Sequence, residues 1–309
     1  MRNGKVVIAG GTGFLGRALS TGLMRDGYDV VILSRSNNVS HPMGIRPVYW
    51  TGKPTGRSEP WHSHLMDASA VINLAGAGIA DARWTASRKQ LIKSSRIEST
   101  RAIVEGIKAL PADRRPALLL NASAVGYYGP RGDEIITEDD RPGTGFLSQV
   151  CSAWEKEANS VKKLDIPVVL LRIGIVLAGT GGALPKMLLP FRLFIGGPLA
   201  SGRQWWSWIH IDDVIGIIRF LLTYSGVSGP VNLTAPNPVT NREFAAITGK
   251  VLGRPSWLPV PATALRLLLG EMADEMLLTG QRVIPKKMMS LGYTFRYPDL
   301  LPALMAILR

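Results

Sequence analysis

The segment Gly10-Gly11-Thr12-Gly13-Phe14-Leu15-Gly16 constrains this chain most, because it joins an apolar strand pattern at 5–10 (KVVIAG) to a helical pattern at 14–26. A second buried-strand pattern at 29–33 (DVVIL) completes one strand–helix–strand crossover of ordinary length. In that setting the spaced glycines have separate uses. Gly10 allows a tight turn, Gly13 lets backbone approach a pyrophosphate, and Gly16 lets the helix pack close to the sheet. The helix N-terminus offers free N–H groups and a positive dipole end to the phosphates. Residues Gly10, Gly11, Thr12, Gly13, Phe14, Leu15 and Gly16 are therefore expected to hold a dinucleotide.

Further strand patterns lie at 45–50, 70–74 (AVINL), 117–122 (ALLLNA) and 167–173 (PVVLLRI), with helical stretches at 81–110 and 144–164 between the last three. Strands apolar throughout and separated by helices predict an α/β fold, a doubly wound, Rossmann-like parallel sheet covered on both faces. From Gly179 the texture changes to Gly- and Pro-rich segments and short helical patterns. The expectation is a cofactor-binding domain over 1–178, to which 206–234 return, and a smaller α+β cap domain over 179–309 that covers the sheet's C-terminal edge.

Composition excludes several classes of function. The chain has 309 residues, 36 Lys+Arg against 23 Asp+Glu, and a net charge of +13. The cations are scattered, with no block of like charge and no finger or RNP-like pattern, so nucleic acid is not an expected partner. No apolar run reaches the roughly 18 residues of a spanning helix, so no membrane is expected. The first residues carry no secretory pattern, and Cys151 is a lone cysteine, which together imply a cytoplasmic, reducing setting. His41, His62, His64 and His210 show no metal-ligand spacing with it, so no metal is expected.

At the end of the second strand the chain reads Ser34-Arg35-Ser36. A carboxylate there would accept from a ribose 2′-OH and repel a 2′-phosphate, whereas a guanidinium flanked by hydroxyls does the opposite. The expected cofactor is NADP in preference to NAD.

The glycine turn, the strand ends Asn73-Leu74-Ala75-Gly76 and Asn121-Ala122-Ser123-Ala124-Val125-Gly126-Tyr127-Tyr128-Gly129, and the segment 202–214 together resemble the extended short-chain dehydrogenase/reductases, in their nucleotide-sugar epimerase/dehydratase branch. With Trp154-Glu155, Gly270-Glu271-Met272-Ala273 and the segment 278–285, the whole chain resembles the atypical "epimerase family protein" group, which ends in a C-terminal domain of unknown function. The resemblance implies that Leu74, Ala75, Gly76, Ala122, Ser123, Ile173 and Gly174 contact the cofactor.

It also implies a Ser/Thr, Tyr and Lys chemistry that this chain departs from. Tyr and Lys four apart are expected on the helix at 144–164, yet no tyrosine occurs between Tyr128 and Tyr224. A gapless alignment puts Ala124 at the hydroxyl position and Ser123 one place earlier. Ser123 is then a catalytic hydroxyl, a cofactor contact or a buried structural group. Tyr127 or Tyr128 is either the replacement acid or an aromatic closing the pocket. Glu155 and Glu157 read as exposed helical carboxylates, Cys151 as a small buried hydrophobe, His210 as a base or a helix-entry residue, and Asp212 as a helix N-cap.

Lys186, Arg203, Trp205 and Trp206 bring cations and aromatics to the region between the domains, a composition suited to an anionic, ring-bearing small molecule. The same tryptophans serve equally to pack the second domain. Two functions are consistent with these residues: an oxidoreductase or epimerase-like enzyme with Ser123, Tyr127 or Tyr128 as its acid, and a protein that senses NADP(H) without turnover. A homodimer is the expected assembly.

Overall fold

The structure, a computed structural model, describes residues 3–36 and 44–308; His41 lies outside them. The chain opens with β1 (Lys5–Ala9), α1 (Phe14–Arg25), β2 (Asp29–Ser34), β3 (Val48–Tyr49), β4 (Ala70–Asn73) and α2 (Ala86–Lys108). It continues through β5 (Leu119–Ala124), β6 (Ile135–Ile136), α3 (Phe146–Asn159), β7 (Val168–Ile173) and β8 (Ile175–Leu177). The expected strand at 45–50 shrinks to two residues, because Pro47 has no N–H to give the ladder and pairing starts at Val48. The expected helix at 81–110 starts later, where the Thr85 side chain accepts from the Arg88 N–H and caps α2. The strand expected at 117–122 ends two residues further on, since its ladder with β7 runs through Ser123 and Ala124.

The remainder comprises α4 (Leu184–Arg192), β9 (Trp205–Trp206), β10 (Trp208–His210), α5 (Ile211–Thr223), β11 (Gly229–Leu233), β12 (Val239–Thr240) and α6 (Asn241–Leu252). After these come α7 (Ala262–Leu269), α8 (Glu271–Met276), β13 (Arg282–Val283), α9 (Lys286–Ser290) and α10 (Leu300–Leu308). Seven parallel strands form the main sheet in the order β11-β7-β5-β4-β1-β2-β3. The order reverses at β1, so the loops after β1 and β4 diverge to opposite sides and leave a crevice at the carboxyl edge.

Alternation along the strands explains their continuous apolar pattern. Val6, Ile8, Val169 and Leu171 join one core with α1 and α5, while Val7, Ala9, Val168 and Leu170 join a second on the opposite face with α2. A third core builds the cap: Leu184 and Leu188 of α4, Trp206, Trp208, Phe244 of α6, and Leu300, Ala303 and Leu304 of α10. The C-terminal segment is pinned back to the sheet by Asp213 in the first turn of α5. Its buried carboxylate accepts from the backbone N–H of Arg296 at 2.8 Å and of Tyr297 at 2.9 Å, and from the Tyr293 hydroxyl at 3.3 Å.

Replacing Asp213 by Ala strands these donors. We expect Asp213→Ala to lose about 3 kcal/mol of unfolding free energy in a urea titration. A loss below about 1 kcal/mol would show that the anchor contributes little.

Candidate active site

The turn after β1 is closed by its own backbone, with the Gly13 N–H on the Gly10 carbonyl at 3.0 Å. Gly10 has φ +77°, and a Cβ there would sit 2.9 Å from the Leu74 carbonyl carbon in the loop after β4. A Cβ at Gly16 would overlap the Gly10 carbonyl oxygen, so the first turn of α1 lies directly on the loop. Gly13 stands at the N-cap without a side-chain cap, and the first turn carries no carboxylate. The early N–H groups of α1 are thus free for an anion, and Arg17 Nε braces the turn through the Thr12 carbonyl at 2.8 Å. Across this helix start lies the cap: a Cβ at Gly181 or Gly182 would come within 2.7 or 2.9 Å of the Phe14 ring.

At the end of β2, Ser34 is buried and its hydroxyl accepts from the Ser36 N–H at 3.2 Å. Arg35 is exposed beside it and makes no ion pair among the described residues. The loop after β4 is set by Asn73, whose Nδ2 donates to Thr100 and Asn121 and whose Oδ1 accepts from the Ala75 N–H at 3.1 Å. Trp154 Nε1 donates to the same Thr100 hydroxyl at 2.8 Å, tying α3 to α2. Leu74, Ala75, Gly76, Ala122, Ser123 and Ile173 all stand at the carboxyl ends of neighbouring strands. Gly174 follows at once, its backbone so close to Ser207 that a Cβ would overlap the Ser207 carbonyl oxygen.

The strand alternation carries Asn121, Ser123 and Arg172 to the face covered by α2 and α3, and there a buried polar chain forms. The Ser123 hydroxyl donates to Glu155 Oε1 at 2.7 Å. Arg172 grips both Glu155 oxygens at 2.9 Å each, and the pair is almost wholly shielded from solvent. Arg172 Nη1 also donates to the Tyr128 hydroxyl at 2.9 Å, which donates onward to Asn232 Oδ1 at 2.7 Å. The guanidinium lies 3.6 Å from the centre of the Tyr127 ring. Burial works against the Arg172 charge, but hydrogen bonds from Glu155 and Tyr128 outweigh it, raise its pKa and keep it a cation. Burial raises the Tyr128 pKa well above the ordinary phenol value and raises that of Tyr127 too, against the pull of Arg172.

The expectations for Glu155 and Asp212 are corrected here, while the buried reading of Cys151 and the helix-entry reading of His210 hold. Glu155 is buried and paired, because the inner face of α3 points it at β7; Glu157 is the outward carboxylate and pairs with Arg101. Cys151 is buried one turn before Glu155, and burial pushes its thiol up to about 11. His210, not Asp212, caps α5, its Nδ1 accepting from the Asp212 N–H at 3.1 Å, with its ring 4.0 Å from that of Tyr297. Burial lowers the His210 pKa, against the pull of Asp212 and Asp213.

The cap residues separate by role. Trp206 is buried against Phe244 in the cap core. Trp205 Nε1 donates to Asp133 at 2.7 Å with Arg282 over its ring, and Arg203 is exposed on the 199–204 turn. Lys186 reaches from α4 toward the Ala80 carbonyl in the loop after β4, at 3.5 Å. A groove of about 880 Å³ leaves Thr12 and Gly13 and runs between α1 and α5; neither Ser123 nor the 74–76 loop lines it. Among the described residues no group of three or more His, Cys, Asp or Glu is placed to hold a metal ion, and no helix is long and apolar enough to cross a membrane.

Sequence reading passed over Arg172, although the signal was present. A lone arginine inside PVVLLRI has no water to charge it and requires a buried carboxylate nearby. We expect Arg172→Met, which leaves Glu155 buried without its partner, to cost about 3–5 kcal/mol in chemical denaturation. Arg172→Met with Glu155→Met is expected to recover most of it. A double variant as unstable as the single one would rule out the pair as the cause.

Residues 6–233 match the model of the NAD dependent epimerase/dehydratase family, and residues 260–307 match a domain of unknown function, DUF1731. An Arabidopsis thaliana protein, "Epimerase family protein SDR39U1 homolog, chloroplastic", is 42% identical over 98% of this chain and 86% of its own length. Epimerase family protein YfhF of Bacillus subtilis is 40% identical, over 96% of this chain and 95% of its own. A crystal structure of human epimerase family protein SDR39U1 with NADPH superposes with a TM-score of 0.84 at 33% identity, covering 98% of both chains.

Proposed function

The chain belongs to the NAD dependent epimerase/dehydratase family, and we propose that it is an NADP(H)-dependent oxidoreductase or epimerase-like enzyme acting on an anionic small molecule. The observation that carries this reading is the Ser123–Glu155–Arg172 unit: Ser123 stands two strands from the glycine turn, and Glu155 lies on the helix where the implied Tyr–Lys pair is missing.

The residues present fit the cofactor. A Cβ would fill the cradle at Gly10 and Gly16, the N-terminus of α1 is uncapped, and Arg35, between two hydroxyl residues, makes no ion pair among the described residues. When bound, NADP(H) supplies or accepts a hydride. Arg35, Ser34 and Ser36 would hold its 2′-phosphate, the NADPH bound to the human relative being consistent with that preference. We expect Arg35→Asp to weaken NADPH binding at least about tenfold, the worth of a charge-assisted hydrogen bond, while NADH binding holds or improves. Fluorescence titration with both cofactors checks this, and parallel losses would remove the NADP preference.

The buried Ser123 hydroxyl spends its one hydrogen on Glu155, so toward any further group it serves as an acceptor. Glu155 and Arg172 fix that orientation and act as positioning residues. Tyr128 accepts from Arg172 and donates to Asn232, with no hydrogen left to give a substrate. Tyr127 is only half-buried, and its raised pKa keeps it protonated throughout the physiological range. A phenol that keeps its proton suits carbonyl reduction, in which Tyr127 would act as the acid toward the substrate oxygen. Lys186, reaching across to the 77–81 loop, supplies positive charge for an anionic substrate.

The test is NADPH oxidation, followed by nicotinamide absorbance, with mixtures of carbonyl metabolites. Tyr127→Phe is expected to lower kcat about a hundredfold with KM little changed. Wild-type protein that binds NADPH yet never oxidises it would leave a second reading, non-catalytic NADP(H) sensing. That reading draws on the absent Tyr–Lys pair and the saturated Tyr128 hydroxyl.

A further inference from the structure

The cap carries a solvent-facing apolar surface that none of the three cores uses. Leu189, Leu193, Phe194, Ile195, Trp257 and Leu258 are all exposed, Trp257 to 76%. They form one patch. The Leu258 N–H donates to the Gly196 carbonyl at 3.2 Å, and Leu199 pairs with Val260 as a parallel bridge, so 196–200 and 258–260 run side by side. Arg254 closes the junction from the other chain segment, 4.3 Å from the Phe194 ring centre. Phe194 itself has φ +64°, a conformation unfavourable for an aromatic residue, and it turns the ring outward instead of into the cap. From the same loop α7 departs with Leu267 and Leu268 exposed.

Charge around this patch is one-sided. Residues 184–204 and 241–270 contain seven Lys or Arg and a single carboxylate, Glu243, which is spent capping α6 through the Thr240 N–H and hydroxyl. Of the seven, Arg266 pairs with Asp274; Arg192, Lys250 and Arg254, which flank the patch in the chain, make no ion pair among the described residues. Exposed Phe, Trp and Leu inside a cationic rim match a bilayer interface, where rings enter the headgroup layer and cations meet anionic lipid. A second copy of this chain would bring the same cations face to face.

We propose that this cap face docks on the surface of an anionic lipid bilayer. The absence of a spanning helix does not bear on such peripheral binding. Each cation near the surface strengthens it roughly fivefold, and the exposed rings add an apolar component that salt does not screen.

Flotation of the full-length chain with vesicles tests the proposal. Binding is expected to phosphatidylcholine vesicles containing one part in about three phosphatidylglycerol and not to phosphatidylcholine alone, and it is expected to weaken with added salt. Phe194→Asn with Trp257→Ser is expected to bind at least about tenfold less, and Asn tolerates the left-handed backbone, so the unfolding midpoint should hold. Arg192→Gln with Arg254→Gln is expected to lose about tenfold or more. Quenching of wild-type tryptophan fluorescence by lipids brominated in their acyl chains reads insertion without any substitution. The proposal is overturned if wild-type protein does not float with anionic vesicles, or if Phe194→Asn with Trp257→Ser floats as well as wild type. Self-association in lipid-free sedimentation that this variant abolishes would overturn it as well, assigning the face to a second copy.

Discussion

A charged guanidinium inside the main sheet is the constraint around which this protein is organised. Arg172 lies in an otherwise apolar strand with almost no access to water. An unpaired charge there would cost more than the fold can bear, so every neighbour is arranged to satisfy it. Helix α3 must be rotated to present Glu155, the turn after β5 must bring Tyr127 over it and Tyr128 beneath it, and β11 must supply Asn232. The register of β5 against β7, which places Ser123 opposite Arg172, completes the arrangement. A one-residue slip would move the guanidinium to the opposite face, among Val169, Leu171 and the α5 side chains.

The same ion pair gives the site a chemical character of its own. Where the resemblance implied a tyrosine and a lysine on the helix, this chain carries Glu155, and the charge that fixes Glu155 against the Ser123 hydroxyl comes from the sheet. The difference changes which group is a donor. The Ser123 hydroxyl is left as an acceptor, and its orientation is held by two buried charges that cancel locally, so it is insensitive to salt.

Much of the architecture was legible because glycine spacing and apolar periodicity are local signals. The glycine turn, the alternation of strands and helices and the buried character of the strands all follow from residues close in sequence. What could not be read was pairing at a distance. Glu155 looks like any helical carboxylate until α3 is placed on the sheet, and Arg172 in its apolar run announces a buried partner without saying which residue supplies it. Asp212 carries the side chain of a good cap, yet His210 occupies the capping position because the chain enters α5 directly from β10. Trp206 could not be told from a ligand-binding aromatic until Phe244 was found against it.

The crossing of Gly181 and Gly182 over Phe14 puts the cap in contact with the same helical turn whose N–H groups are left uncapped. Two binding events then share one piece of backbone. By thermodynamic linkage, whatever fastens or lifts the 179–182 loop alters affinity at the glycine turn by some factor, and occupancy of the turn alters the loop's equilibrium by that same factor. A ligand at the turn and one that holds the loop would therefore not be independent variables: the affinity measured for one would carry the state of the other, and the order of binding would leave the total free energy unchanged.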